Sequence, residues 1–309
     1  MRSATRVLAL AGVLSLLAIS PHAPRDGEAA KLRVLTTLPD LWSLTKALVG
    51  DLATLDVATR FGQNPHDLEI RPSQTLLVKR ADVLVRNGLE EDAWIDSVVE
   101  GSGNPRLLRG SPNVIEASRG IQLLRIPTGA IARSMGDVHP LGNPHYTLDP
   151  ANIPLVTATI VAGLTRIAPD LAAPLEANRR TFLEALAVVE RRWRAALAPY
   201  RGAAIVSYHD SWPYFCRAFG LADAGVIEDR PGVPASPQHL AALIRRMREQ
   251  GVKVILVESW YPPATASMVG RETGARVLVV PQSPGAVKGT EDYIAHMDYL
   301  VRAVADALR

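Results

Sequence analysis

Apolar residues in this chain fall into two rhythms that take turns. Short β-rich runs at 32–36, 54–58, 83–86 and 113–116 are separated by stretches with helical spacing, of which Leu41, Leu44 and Leu48 are the clearest. Strand alternating with helix predicts a parallel sheet. Pro72-Ser73-Gln74 opens one of these helices, with Ser73 expected as its N-cap, and the helix hands the chain to the strand that follows Asp82. From Asp170 to Pro199 the pattern changes: Leu171, Leu175, Phe182, Leu186, Val189, Trp193 and Leu197 recur at steps of three, four or seven. The spacing predicts one helix over 172–198, about 40 Å long at about 1.5 Å per residue. Pro174 falls in its first turns, where proline is tolerated. Such a helix is long enough to join two lobes. Beyond it the alternation resumes, with strands expected at 203–208, 225–228, 252–258 and 276–280 and helices at 237–250, 263–273 and 291–308. The pattern thus divides the chain into an N-terminal α/β lobe at 31–170, a linker helix at 171–199 and a C-terminal α/β lobe at 200–309.

The first 30 residues stand apart. Arg2 and Arg6 precede an apolar or small-residue run from Val7 to Ile19, too short for an ordinary membrane span. This is the form of a secretory signal peptide, with Ala23, Ala29 and Ala30 as candidate cleavage positions. No cysteine follows the run to carry a lipid. The expected location is the periplasm, with the mature protein soluble unless the signal is retained as an anchor.

Composition narrows the function classes. A chain of 309 residues with 48% hydrophobic content can bury substantial cores. The net charge of +3 comes from 34 basic against 31 acidic residues, and the basic ones are scattered, which argues against nucleic acid as a partner. The runs Arg191-Arg192-Trp193-Arg194 and Arg245-Arg246-Met247-Arg248 read as solvated helix faces. Cys216 is the only cysteine, so no intramolecular disulfide can form, and its spacing from Trp212 and Phe219 reads as core.

The chemistry concentrates in histidines. His66 in NPHDLEIRPS, His145 in GNPHYTLDP and His209 in IVSYHDSWPYF each head a loop or helix after an apolar or β-type run. A proline precedes both His66 and His145 and restricts the backbone there. Three neutral imidazoles gathered from distant segments suit a borderline-soft divalent ion, zinc most readily. Two in the first lobe and one in the second would place the ion in the cleft between them. Glu258 ends the run VKVILVES and is the candidate for a fourth ligand or for an acceptor of an imidazole N–H. His22 belongs to the signal region, while His239 and His296 read as structural or solvated. His139 reads as a loop residue, and Asp149 and Asp210 as residues that orient loops.

Taken in order, NPHDLEIRPSQ, ADVLVRNGLEEDAWID, GNPHYTLDPANI, SYHDSWPYFCRAFGL and VKVILVESWYPPATASMVGRETGARVLVV resemble the metal-binding solute-binding proteins of ABC importers for zinc and manganese, and the likeness runs from about Leu32 to Leu308. It implies an α/β fold of two doubly wound parallel-sheet lobes joined by a long rigid helix. It also implies a divalent metal held in the interlobe cleft by His66, His145 and His209, and delivery to an ABC transporter membrane permease by a monomer. Where the family often has an acidic residue after its last strand, this chain has Val280-Pro281-Gln282-Ser283. The fourth ligand is therefore left among Glu258, Gln282 and water. The stretch from Ile121 to Gly142 holds only His139, which does not support a histidine-rich metal-gathering loop. Thr147 stands where an aromatic is common. Manganese receptors usually carry glutamate at the position of His209, and imidazole there favours zinc, with manganese possible.

The resulting expectation is an extracytoplasmic receptor that captures zinc and hands it to an importer, not an enzyme. A zinc hydrolase would need an open coordination position and a placed general base, and Glu258 could act as one. The chain has no HExxH, no G-x-S-x-G and no paired carboxylate motif. A metal-dependent adhesin is the third reading.

Overall fold

The structure, a computed structural model, describes residues 31–66, 68–129 and 139–309. Residues 1–30, the expected signal peptide with His22, lie outside the described residues, as does the middle of the stretch that ends at Gly142.

Strands and helices alternate through both halves. The first holds β1 (Arg33–Thr36), α1 (Pro39–Val49), β2 (Thr54–Val57), α2 (Pro72–Arg80), β3 (Val83–Arg86), α3 (Trp94–Ser102), β4 (Val114–Glu116) and α4 (Ile153–Ile167). Helix α5 (Ala172–Leu197) follows, then β5 (Ala204–Ser207), α6 (Pro213–Phe219), β6 (Ala222–Val226), α7 (Pro237–Gln250), β7 (Val254–Glu258), α8 (Ala264–Thr273), β8 (Arg276–Val280) and α9 (Tyr293–Leu308). Each half builds a four-stranded sheet, ordered β2-β1-β3-β4 and β6-β5-β7-β8, with every pairing parallel. This is the two-sheet α/β architecture that the alternation predicts.

Burial follows position in the sheet. Central strands β3 (Val-Leu-Val-Arg) and β7 (Val-Ile-Leu-Val-Glu) are buried at every residue, as strands covered by helices on both faces must be. Edge strand β2 alternates exposed and half-buried residues. In both sheets the chain steps outward from the first strand and then returns to its other side. That reversal opens a crevice at the strands' carboxyl ends, where open α/β sheets bind ligands.

Helix α2 begins one residue earlier than expected. Pro72 takes the first helical position, for which its fixed φ and missing N–H are suited, and Ser73 falls inside the helix instead of capping it. Gln74 Oε1 accepts the Arg71 N–H at 2.7 Å in its place.

Helix α5 is more than a spacer. Its buried Leu175, Leu186, Val189, Trp193 and Leu197 belong to one apolar core that also contains Val34 and Val83 of the first sheet and Ile205 and Val254 of the second. Helix α9 joins the same core and is tied to both α5 and the first half. Trp193 Nε1 donates to Asp298 at 3.1 Å, the Tyr293 N–H donates to Ser43 Oγ at 2.7 Å, and the Tyr293 hydroxyl donates to the Thr147 carbonyl at 2.9 Å. The largest core cluster therefore runs across 170 and 200, beside a smaller core confined to each half.

Candidate metal centre

The two Asn-Pro-His turns share one device. In each, the asparagine Oδ1 accepts the backbone N–H of the histidine two residues on, at 3.1 Å from Asn64 to His66 and 3.0 Å from Asn143 to His145. An asparagine that bonds its own backbone in this way closes a tight turn, and the intervening proline has no N–H to compete. Asn143 does two further things. Its Oδ1 lies 3.1 Å from His145 Nδ1, and its Nδ2 donates to the Asp210 carbonyl at 2.6 Å. One side chain thereby couples the His145 turn to the His209 loop.

His209 reaches the site differently. It lies two residues beyond β5, in a segment held by Ser207 Oγ and the Ser211 N–H, which both donate to the His209 carbonyl. Its Nδ1 stands 2.9 Å from Glu228 Oε2, just past β6. Glu228 is itself fixed by the Gly232 N–H at 3.0 Å and lies 3.4 Å from the Tyr261 hydroxyl. With Nδ1–H donated to an amide oxygen at His145 and to a carboxylate at His209, each ring keeps its Nε2 lone pair for another partner. His145 Nε2 is buried and accepts no hydrogen bond from the described residues.

The structure brings His66, His145 and His209 together: one ring nitrogen from each lies within 4.8 Å of the others. Ring centroids are 5.1 Å apart for His66 and His209, 5.7 Å for His145 and His209, and 6.0 Å for His66 and His145. Burial, reinforced by the neighbouring histidines 209, 66 and 139, holds the His145 pKa well below its ordinary 6.5. That shift favours the neutral imidazole, the form whose lone pair can bind a metal.

Glu258 is not in this group. It is fully buried, its Oε1 accepts the Trp212 indole N–H at 2.9 Å, and burial raises its pKa against the opposing pull of His209. The carboxylate expected to accept an imidazole N–H is Glu228 instead, because the turn after β6 brings it to Nδ1 while Trp212 claims Glu258. Gln282 lines a small cavity of about 40 Å³ with Glu91, His145 and Trp260. His296 is buried with Nε2 3.0 Å from the Pro281 carbonyl, His239 Nε2 lies 2.9 Å from the Val226 carbonyl, and Cys216 is buried in the core.

Two residues not assigned to the site from sequence stand beside it. His139, expected in a loop role, has its ring 5.1 Å from that of His66, and its Nε2 is 3.3 Å from Glu91 Oε2. Glu91 is buried, its pKa raised by that burial against the pull of His66 and His209. It is lifted into place by an unusual turn: Gly88, Leu89 and Glu90 all have positive φ, at 80°, 58° and 64°. Left-handed non-glycine residues cost energy and persist where the surroundings over-determine them. Here Asp92 does so. Its carboxylate accepts the Asn87 N–H at 2.6 Å, the Gly88 N–H at 3.2 Å and the Thr37 hydroxyl at 2.6 Å, and pairs with buried Arg86 at 3.3 Å. At Gly88 itself a Cβ would stand 2.6 Å from Ser118 Oγ. The signal in the sequence is the polar group Asn87-Gly88 and Glu90-Glu91-Asp92 directly after the strand Val83–Arg86, whose own last residue is charged.

Comparison with known proteins agrees with this architecture. The family model described as zinc-uptake complex component A, periplasmic, matches residues 34–307. The chain belongs to this family, the periplasmic solute-binding components of metal ABC importers. Its relatives include the high-affinity zinc uptake system protein ZnuA of Paracoccus denitrificans, 24% identical over 96% of this chain and 97% of the relative. The iron-binding protein YfeA of Yersinia pestis is 23% identical over 97% and 93%. Among solved structures, FpvC of Pseudomonas aeruginosa in complex with Mn²⁺ superposes with a TM-score of 0.76 at 25% identity, covering 90% of this chain and 98% of that one. A zinc-bound ZnuA deletion mutant gives 0.74 at 21% identity over 90% and 98% and shares the fold.

Proposed function

We propose that this protein captures zinc in the extracytoplasmic space and delivers it to the membrane permease of an ABC importer, with His66, His145 and His209 as the ligands. The observation that carries the reading is the convergence of three histidines from both halves of the chain, with His145 buried and its Nε2 without a hydrogen-bond donor among the described residues. Membership of a zinc-uptake family supports the same cargo. Imidazole nitrogen suits zinc better than it suits manganese, which prefers oxygen donors. Glu228 at His209 Nδ1 supplies the carboxylate behind a ligating histidine that fixes its tautomer and raises its basicity. It also brings negative charge toward a dication that neutral ligands alone would leave uncompensated. The reading assigns no chemistry on the metal, only binding and release.

Competition titration with a chromophoric chelator tests it. One zinc per chain is expected at pH 7.5, with weaker binding at pH 5 as protons compete for imidazole. The depressed pKa of His145 sets the sign for that ligand. It does not take up a proton until well below 6.5, so the loss at pH 5 should be smaller than three protonated histidines would impose. Absence of stoichiometric zinc binding at pH 7.5 overturns the reading.

A further inference from the structure

We propose that Glu91 and His139, together with His66, form a second metal position beside the three-histidine set, through which the ion enters and leaves it. The inference rests on the assignment of His66, His145 and His209 as zinc ligands and extends it.

Four observations carry it. One donor atom each from His66, Glu91 and His139 lies within 4.8 Å of the other two, so these residues form a compact set of their own. Glu91 is the most telling member. Its side chain is only 3% exposed, and Oε2 accepts no hydrogen bond from the described residues while facing His139 Nε2 at 3.3 Å and His66 Nε2 at 3.7 Å. A buried carboxylate oxygen that meets two imidazoles yet accepts no hydrogen bond from the described residues is poorly compensated, and a cation is the partner that suits it. A further set of hydrogen bonds through Asp92 holds the strained turn that puts it there.

The third observation is that both sets share His66, whose ring centroid is 5.1 Å from that of His139 and 5.1 Å from that of His209. An ion can therefore trade His145 and His209 for Glu91 and His139 while keeping one ligand throughout, and is never stripped bare in a dry cleft. Fourth, His139 and His209 line one cavity of about 270 Å³ together with Asp210, Glu228 and Asp229, against a single guanidinium from Arg125. That balance favours an approaching dication. One member of each donor set, His139 of the outer and His209 of the inner, lines it. Mixed imidazole and carboxylate ligation is within zinc's ordinary range.

The test is kinetic, on the full protein with zinc alone as the probe. Stopped-flow exchange with a chromophoric chelator should show that His139→Ala and Glu91→Gln each slow capture and release alike, by roughly tenfold. The equilibrium affinity should stay close to that of the wild type. Faster release with a raised Kd would place both residues in one shell with the three histidines and overturn the proposal, as would unchanged rates. A second arm removes the inner set. His145→Ala/His209→Ala, verified as folded, should still bind one zinc with lower affinity, and adding Glu91→Gln and His139→Ala should abolish that binding. No zinc on the folded double variant overturns the second position. No zinc on the wild type overturns instead the function on which it rests.

Discussion

The two halves of this molecule repeat one sheet order, yet they equip the same topological edge in different ways. Past the third strand of the first sheet, β3, the buried pair Arg86 and Asp92 braces a strained turn. At the end of the corresponding strand β7, Glu258 faces no cation of that kind and gives one oxygen to an indole. The ligand turns differ as well. His66 and His145 sit on turns closed by neutral asparagines, whereas His209 follows a strand directly and leans on a carboxylate. An amide fixes geometry without adding charge, and a carboxylate fixes geometry and also raises the basicity of the ring. The asparagine turns of the first half thus fix their histidines by shape, with the carboxylate Glu91 standing apart from the turns at 3.7 Å from His66, whereas in the second half Glu228 bonds its histidine directly.

Substitutions can break this contrast, and the largest effect should come from the braced turn. Asp92→Ala removes one of the two carboxylates that hold buried Arg86, leaving only Asp96 at 2.8 Å, and strips the acceptor from the Asn87 and Gly88 N–H groups and the Thr37 hydroxyl. It should cost about 3–5 kcal/mol of stability, read by denaturant unfolding. A loss under about 1 kcal/mol would show that the pair is dispensable. Next, His145→Ala should weaken zinc binding by more than about 100-fold, beyond the cost of losing a partner that merely supports a ligand. Unchanged affinity by competition titration would remove His145 from the ligand set. Glu228→Gln should weaken zinc by about 10–100-fold. It keeps an acceptor near His209 Nδ1 but removes the charge, so an effect no larger than that of Asn64→Ala would erase the distinction between the halves. The smallest change is expected at Glu258. Burial raises its pKa and glutamine keeps an acceptor for the Trp212 indole N–H, so Glu258→Gln should alter stability by less than about 1 kcal/mol. A loss of several kcal/mol would mean that the ionised form is required.

Much of this was legible in the residues because the signals are periodic or local. Runs such as Val83–Arg86 read as buried parallel strands, and the step pattern of Leu175, Leu186 and Trp193 marks a helix expected over 172–198 and found over Ala172–Leu197. Helix α4 has no such clear expectation. Its composition is apolar almost throughout, and periodicity is weak when most positions are hydrophobic. The three histidines stood out because proline or a strand end marked each one. Glu228 and Glu91 did not stand out, since a carboxylate after a strand is ordinary in sequence and acquires meaning only from the ring that faces it. The same holds for the choice between Glu258 and Glu228 as the acceptor: both end β-type runs, and only the packing of Trp212 separates them. Asn64 and Asn143 were visible inside the repeated Asn-Pro-His motif, where the proline drew the notice and the amide closes the turn.

The continuous interior that runs from the first sheet through α5 and α9 to the second limits how this receptor can let its cargo go. Swinging the halves apart like a clamshell would peel α9 from α5 and wet Trp193. That one residue, at about 150–250 Å² of surface and about 25 cal/mol per Å², would cost roughly 4–6 kcal/mol. Opening the site is therefore cheaper through short loops yielding at the rim of a stiff body than through parting of the two halves.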